Sequence, residues 1–170
     1  MDLTSREFWA LVHGIALGGA FLVAFTGGLA GFYSLRPELL TSAGVTERLG
    51  RLRLGTVGMA VLTWLTVIVG TWIVYPWYRE DIPESPRSQL LADPNTDNWH
   101  TFGMEWKEHV AWLSPLLATG AAFLVLHYRE DLIRNQLARR LSMGLFVAAF
   151  GVAVIAGILG ALITKKAPVV

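Results

Sequence analysis

Four histidines are the side chains of this sequence with the clearest chemistry, because the chain contains no cysteine. The lack of cysteine excludes disulfides, thiolate metal sites, iron–sulfur clusters and covalently attached haem. A bound metal must therefore be held by histidine, carboxylate or methionine. His13 lies in the first apolar segment and His109 opens the third, so these two imidazoles form the first candidate site.

A haem b group is one cofactor that this pair of histidines can hold. Two neutral imidazoles that face each other across a helical bundle are the axial ligands of a low-spin haem iron. Gly14 and Gly18 accompany His13, and small residues there leave room for a flat porphyrin. The alternatives are that the glycines serve helix packing, and that each histidine forms hydrogen bonds across helices or is hydrated at the interface.

A single zinc, copper or iron ion is the competing cofactor. Glu105 and His109 are four residues apart, so they share one face of a helix. Together with His100 and His13 they supply the nitrogen and oxygen ligands that these metals take. The alternative is that Glu105 and its neighbour Glu108 complement a helix dipole at a helix start, with the nearby lysine in water.

Four apolar segments must position these side chains, and each is long enough to cross the roughly 30 Å hydrocarbon core of a bilayer as a helix. We expect one all-α domain over residues 1–170, an integral membrane up-down four-helix transmembrane bundle. A single longer loop, residues 77–107, joins the second and third helices. The predicted spans are residues 8–33, 54–76, 108–128 and 141–163.

The charged residues of the loops predict the orientation. Basic residues favour the cytoplasmic side in short loops, and the first and third loops hold Arg36, Arg48, Arg51, Arg53, Arg129, Arg134, Arg139 and Arg140. Loop 77–107 is acidic instead, so we expect this loop and both termini to be extracytoplasmic, in a bacterial inner membrane. A net charge of +1 also predicts no nucleic-acid partner.

Two features mark the ends of the second span. Residues 46–53 are either a short interfacial helix or an early start of that span. At its other end Trp72, Tyr75, Trp77 and Tyr78 resemble an interfacial aromatic girdle.

His127 follows His109 by eighteen residues, five helical turns, so the two imidazoles share a face and lie about 27 Å apart. In its four spans and in this placement of histidines the chain resembles the membrane-embedded b-type cytochromes. It departs from them in that His127 has no histidine partner, although Met59 and Met143 lie at a similar depth and are possible thioether ligands.

The resemblance implies an electron-transfer subunit that holds haem b near the extracytoplasmic face and is linked to quinol oxidation. Its partners would be the lipid bilayer, a quinone and a redox protein at the acidic loop. No residue is expected to be catalytic in its own right. The alternative function is a membrane scaffold or accessory subunit, in which the histidines are structural and the acidic loop docks a partner.

Overall fold

Four long helices make up most of the computed structural model, which describes residues 3–36, 39–41 and 44–168. No β-strand occurs in those residues, and each long helix is long and apolar enough to cross a membrane, which confirms the predicted fold class. Residues 1–2 and 169–170, at the termini predicted to be extracytoplasmic, lie outside that description. In chain order the helices are α1 (Ser5–Ser34), α2 (Val45–Tyr78), the short α3 (Pro86–Ala92), α4 (Trp99–Tyr128), the short α5 (Asp131–Arg134) and α6 (Gln136–Lys166).

All four long helices extend beyond the apolar segments that predict them. Helix α2 begins at Val45, so residues 46–53 are an early start of the second span. Helix α4 begins at Trp99, so the connection before it comprises residues 79–98 and is shorter than the predicted loop. The reason is that backbone hydrogen bonds of a helix continue through polar residues, whereas an apolar segment marks only the part that lipid surrounds.

Side-chain caps define where two of the helices begin. The backbone N–H of Glu7 donates to the Thr4 hydroxyl, and the Thr4 backbone N–H donates to the Glu7 carboxylate at 2.8 Å. This reciprocal pair is a capping box that starts α1. The Ser85 hydroxyl caps α3 by accepting a hydrogen bond from the Ser88 backbone N–H, and Pro86 lies in the first turn, where its missing N–H costs nothing.

Large apolar side chains are exposed along all four long helices. Leu54 of α2 is 76% exposed and Phe123 of α4 is 62% exposed, while Val23 of α1 and Ile158 of α6 are also exposed. In water such a surface favours aggregation, but hydrocarbon solvates it without penalty. The exposed residues thus support a lipid bilayer as the surroundings of these helices.

The chain divides into two compact units, and each long helix contributes residues to both. The first unit comprises Met1–Gly19, Leu65–Trp112 and Val152–Val170, and the second comprises Ala20–Trp64 and Leu113–Gly151.

Close contact at glycines holds the second unit together. A Cβ atom at Gly55 would lie 2.5 Å from the backbone nitrogen of Gly28, and one at Gly31 would lie 2.9 Å from the Cα of Leu52. Helices α1 and α2 therefore touch backbone to backbone there, which is the usual role of small residues in membrane bundles.

The first unit has a core where α3 meets the ends of the long helices. Its buried members are Tyr78 at the end of α2, Leu90 of α3, Met104 of α4, and Ile163 and Ala167 at the end of α6. Residues of the connection between α2 and α4 are therefore packed against the helices.

Candidate functional site

Three π-helical turns interrupt the helices of the first unit. They comprise Val12–Ala16 in α1, Gly70–Val74 in α2 and Trp99–Met104 in α4. A π turn is rare, and it often marks a functional site because its extra residue redirects the side chains around it. Two of the three turns contain a histidine, His13 and His100 respectively.

The turns in α1 and α2 meet at His13. A Cβ atom at Gly70 would lie only 2.7 Å from Cε1 of the His13 ring, so only glycine leaves room for the imidazole in this position. The backbone of Thr66 also lies beside the ring. Nevertheless, Nδ1 of His13 is buried and has no hydrogen-bond partner among the residues that the structure describes. A buried polar atom without a hydrogen-bond partner lowers the stability of a folded protein, so it requires a structural explanation.

His13 lines a half-open cavity of about 120 Å³ that residues of α1, α2, α4 and α6 enclose. Its polar lining includes His13, Tyr75, Lys107 and Glu108. Apolar side chains, Trp112 among them, form much of the remaining wall. The cavity thus combines an apolar body with a few ionisable groups, which is typical of small-molecule sites.

Lys107 brings a cationic group to this cavity. A Cβ atom at Gly160 of α6 would lie 3.0 Å from Nζ of Lys107, so the glycine makes space for the ammonium group. The half-buried Lys107 acts electrostatically on His13, and the carboxylate of Glu108 acts on Lys107 in turn. The interpretation of Lys107 as a residue in water is wrong, because α6 covers it. A lysine inside a membrane span is a candidate functional residue for that reason.

A hydrogen-bonded pair, Tyr78 and His100, lies at the edge of the cavity. The Tyr78 hydroxyl and Nδ1 of His100 share a hydrogen bond of 2.8 Å, and both side chains are buried. Tyr78 therefore does more than anchor the helix at the interface. The pair ties the end of α2 to the π turn at the start of α4.

Arg79 forms ion pairs with two carboxylates near the same edge of the cavity. Its guanidinium lies 2.8 Å from a carboxylate oxygen of Glu105 and 3.3 Å from one of Glu108. Burial acts to lower the pKa of Arg79, but Glu108, Tyr75 and Glu105 outweigh it and raise the pKa, so the group stays cationic. Glu105 is thus an ion-pair partner, and its carboxylate lies 4.0 Å from Nε2 of His100.

The two predicted axial ligands, His13 and His109, do not line the same cavity. His109 is exposed and does not line the cavity that contains His13. Its Nδ1–H donates to the backbone carbonyl of Glu105 at 2.7 Å, which leaves Nε2 for another partner. Gly14 is exposed as well, and a Cβ atom at Gly14 or Gly18 would meet no atom within 4 Å.

The enclosed part of the cavity beside His13 is smaller than a haem. The cavity volume is about 120 Å³, close to the roughly 150 Å³ that holds one benzene ring, and a porphyrin has four linked pyrrole rings. The single-metal alternative lacks a cluster too. Within residues 3–36, 39–41 and 44–168, no three histidine or carboxylate side chains are grouped closely enough to hold an ion.

Sequence reasoning missed three residues of the site, Gly70, Tyr78 and Lys107. Of these only Lys107 carries a local signal, since it is a lysine only three residues before an apolar run. The roles of the other two depend on contacts with residues that are distant in sequence, His13 and His100.

No protein-family model, curated protein or solved structure matches this chain. Its function is therefore inferred from the cavity and from the membrane helices that build it.

Proposed function

We propose that this protein is an integral membrane subunit that binds the ring of a lipid-soluble quinol in the cavity of the first unit. The observation that carries the proposal is the grouping of His13, Lys107 and Glu108 around an apolar cavity inside membrane-spanning helices. Electron transfer from the quinol to a separate redox partner is the corresponding function.

The size and lining of the cavity support a single aromatic ring. Its volume of about 120 Å³ is comparable with that of engineered cavities, about 150 Å³, that take up benzene. The cavity is open on one side, so ring substituents and an isoprenoid tail can extend out of it. Trp112 and other apolar residues supply contact area for the faces of the ring.

The ionisable groups match what a quinol requires. Its oxidation to a quinone releases two electrons and two protons, so the site needs proton acceptors and a donor for the ring oxygens. The Glu108 carboxylate accepts one proton and the His13 imidazole accepts the second, while the Lys107 ammonium donates a hydrogen bond to an oxygen of the ring. Glu108 also pairs with Arg79, which in turn pairs with the Glu105 carboxylate at the edge of the cavity.

Fluorescence quenching tests the proposal, because Trp112 lines the cavity and quinones quench indole emission. The purified protein in detergent is titrated with a short-tailed ubiquinone analogue and a short-tailed menaquinone analogue. We expect saturable quenching, with an affinity that falls by about tenfold, or about 1.4 kcal/mol, in Lys107→Met and in Glu108→Gln.

Lys165→Met and Glu130→Gln are matched controls, since both side chains are exposed and lie outside the cavity. They should bind as the wild-type protein does, and circular dichroism should confirm helical folding of every variant. Quenching that does not saturate, or equal affinity in the cavity variants and the controls, would contradict quinol binding. The scaffold function would then be favoured.

A further inference from the structure

A second and larger opening lies in the second unit, between α1 and α2. This groove has a volume of about 820 Å³. Small residues of α1, including Ala20, Ala24 and Gly27, form one wall, and Gly58 contributes to the other. A Cβ atom at Gly27 would meet nothing within 4 Å, and one at Gly58 would first meet Ala24 at 3.8 Å, so the groove is open at these positions.

Cationic side chains gather at one end of the groove. Arg48 and Arg51 line it there, together with Tyr33. The guanidinium of Arg36 lies 4.0 Å from the centre of the Tyr33 ring, which adds a third positive charge. Glu47 pairs with Arg51 and offsets one of the three. Among the residues that the structure describes, the end of the groove therefore carries a net positive charge.

Arg48 is held in a position to bind an anion. One of its terminal nitrogens donates to the backbone carbonyl of Ser34 at 2.8 Å, which fixes the guanidinium beside the groove. A guanidinium has five N–H donors, and this is the only hydrogen bond of the Arg48 side chain among the residues that the structure describes. The remaining donors suit a phosphate group.

We propose that the groove binds an anionic glycerophospholipid, with an acyl chain along the small residues and the phosphate at Arg48 and Arg51. The lining of α1 extends from Ala20 to Ser34, about 20 Å at the rise of an α-helix. One leaflet of a hydrocarbon core about 30 Å thick is about 15 Å deep, so the groove is long enough for an acyl chain. Basic pockets between membrane helices bind anionic headgroups in this way.

A second copy of the chain is the other occupant that small residues often favour. The positive charge at the end of the groove argues against such a dimer. In a two-fold dimer within one membrane the same ends of both grooves come together, so Arg48 and Arg51 of each copy would face those of the other. A lipid phosphate neutralises this charge instead. The proposal is independent of quinol binding, because none of these residues lines the cavity of the first unit.

Native mass spectrometry of the delipidated protein tests the proposal with two probes, phosphatidylglycerol and phosphatidylcholine with the same acyl chains. We expect retention of phosphatidylglycerol only. The double variant Arg48→Gln/Arg51→Gln should retain about tenfold less of it. The control Arg134→Gln/Arg140→Gln, which changes two exposed arginines outside the groove, should retain the wild-type amount.

Gly27→Leu tests the groove itself, and Gly144→Leu is its control, because a Cβ atom meets nothing within 4 Å at either position. Gly27→Leu should lose the bound lipid and the control should keep it. If the double arginine variant does not fold, Arg51→Gln alone is compared with wild type, since Arg51 is exposed and pairs only locally with Glu47. Equal retention of both lipids, retention in Gly27→Leu, or a dimer that Gly27→Leu dissociates would each overturn the proposal.

Discussion

The imidazole of His13 lies against Gly70 so closely that any side chain at position 70 would collide with it, since a Cβ atom there would be 2.7 Å from Cε1. Both residues lie in π turns, one in α1 and one in α2. The position of the ring is thus determined by the backbone of a neighbouring helix. A substitution at Gly70, which has no functional group of its own, should therefore move the His13 ring and change ligand binding in the cavity.

Gly70→Ala should displace the His13 ring. Alanine is favoured over glycine in a helix interior by about 1 kcal/mol, but overpacking costs about 1–3 kcal/mol. We expect a net loss of stability on the order of 1 kcal/mol and weaker quinone binding. Unfolding in mixed micelles with increasing dodecyl sulfate measures the first, and tryptophan quenching measures the second.

Gly50→Ala in the same helix is the control, because a Cβ atom at Gly50 meets nothing within 4 Å. It should gain stability by up to about 1 kcal/mol and leave binding unchanged. If both variants change stability in the same direction and bind equally well, then Gly70 does not position His13.

Tyr78→Phe should destabilise the first unit, because it removes the hydroxyl that pairs with Nδ1 of His100. A buried polar atom left without a partner costs about 1–3 kcal/mol. The double variant Tyr78→Phe/His100→Phe should recover part of that loss, since it removes both partners. The midpoint of unfolding measures both effects.

Tyr128→Phe is the matched control, since the half-buried Tyr128 hydroxyl has no hydrogen-bond partner among the described residues. Its midpoint should equal that of the wild-type protein. Additive losses from Tyr78→Phe and His100→Phe would show that the two side chains are not coupled.

Haem binding is tested by the absorption spectrum of the purified protein. His109 does not line the cavity of His13, so we expect no Soret band that depends on both histidines. His13→Ala and His109→Ala provide the comparison. A Soret band in the wild-type protein that both substitutions abolish would establish the predicted haem pair and contradict the present assignment of the cavity.

The arginines of the first and third loops predict the orientation in the membrane. Reporter fusions after Arg51 and Arg134 should report the cytoplasm, and a fusion near Pro94 should report the outside. A cytoplasmic signal from the Pro94 fusion would reverse the orientation. Quinol protons would then leave from the cavity to the opposite compartment.

The four membrane helices could be predicted because their length and composition alone decide whether a segment crosses a bilayer. The i, i+4 spacing of Glu105 and His109 was predictable too, and the His109 ring bonds to the Glu105 backbone carbonyl, whereas the Glu105 carboxylate pairs with Arg79. Each of these properties is local to a single helix, so contacts between helices do not alter it.

The burial of Lys107 and the role of Tyr78 could not be predicted in this way. Lys107 is covered because Gly160, more than fifty residues later, leaves space beside it. Tyr78 meets His100 because α4 begins with a π turn. Aromatic residues at a span end are common anchors, and nothing near Tyr78 in the sequence distinguishes it from Trp72, which is exposed.

The π turns also make the cavity sensitive to the number of residues in each helix. A π turn contains one residue more than the α turn that it replaces, and each residue of an α-helix turns the chain by about 100°. Deletion of one residue within Val12–Ala16 would let α1 return to regular geometry and rotate everything before it relative to everything after it. The shape of the cavity thus depends partly on the number of residues in each helix. An in-frame deletion of a single residue can therefore disrupt the site although every ionisable side chain that lines it is kept.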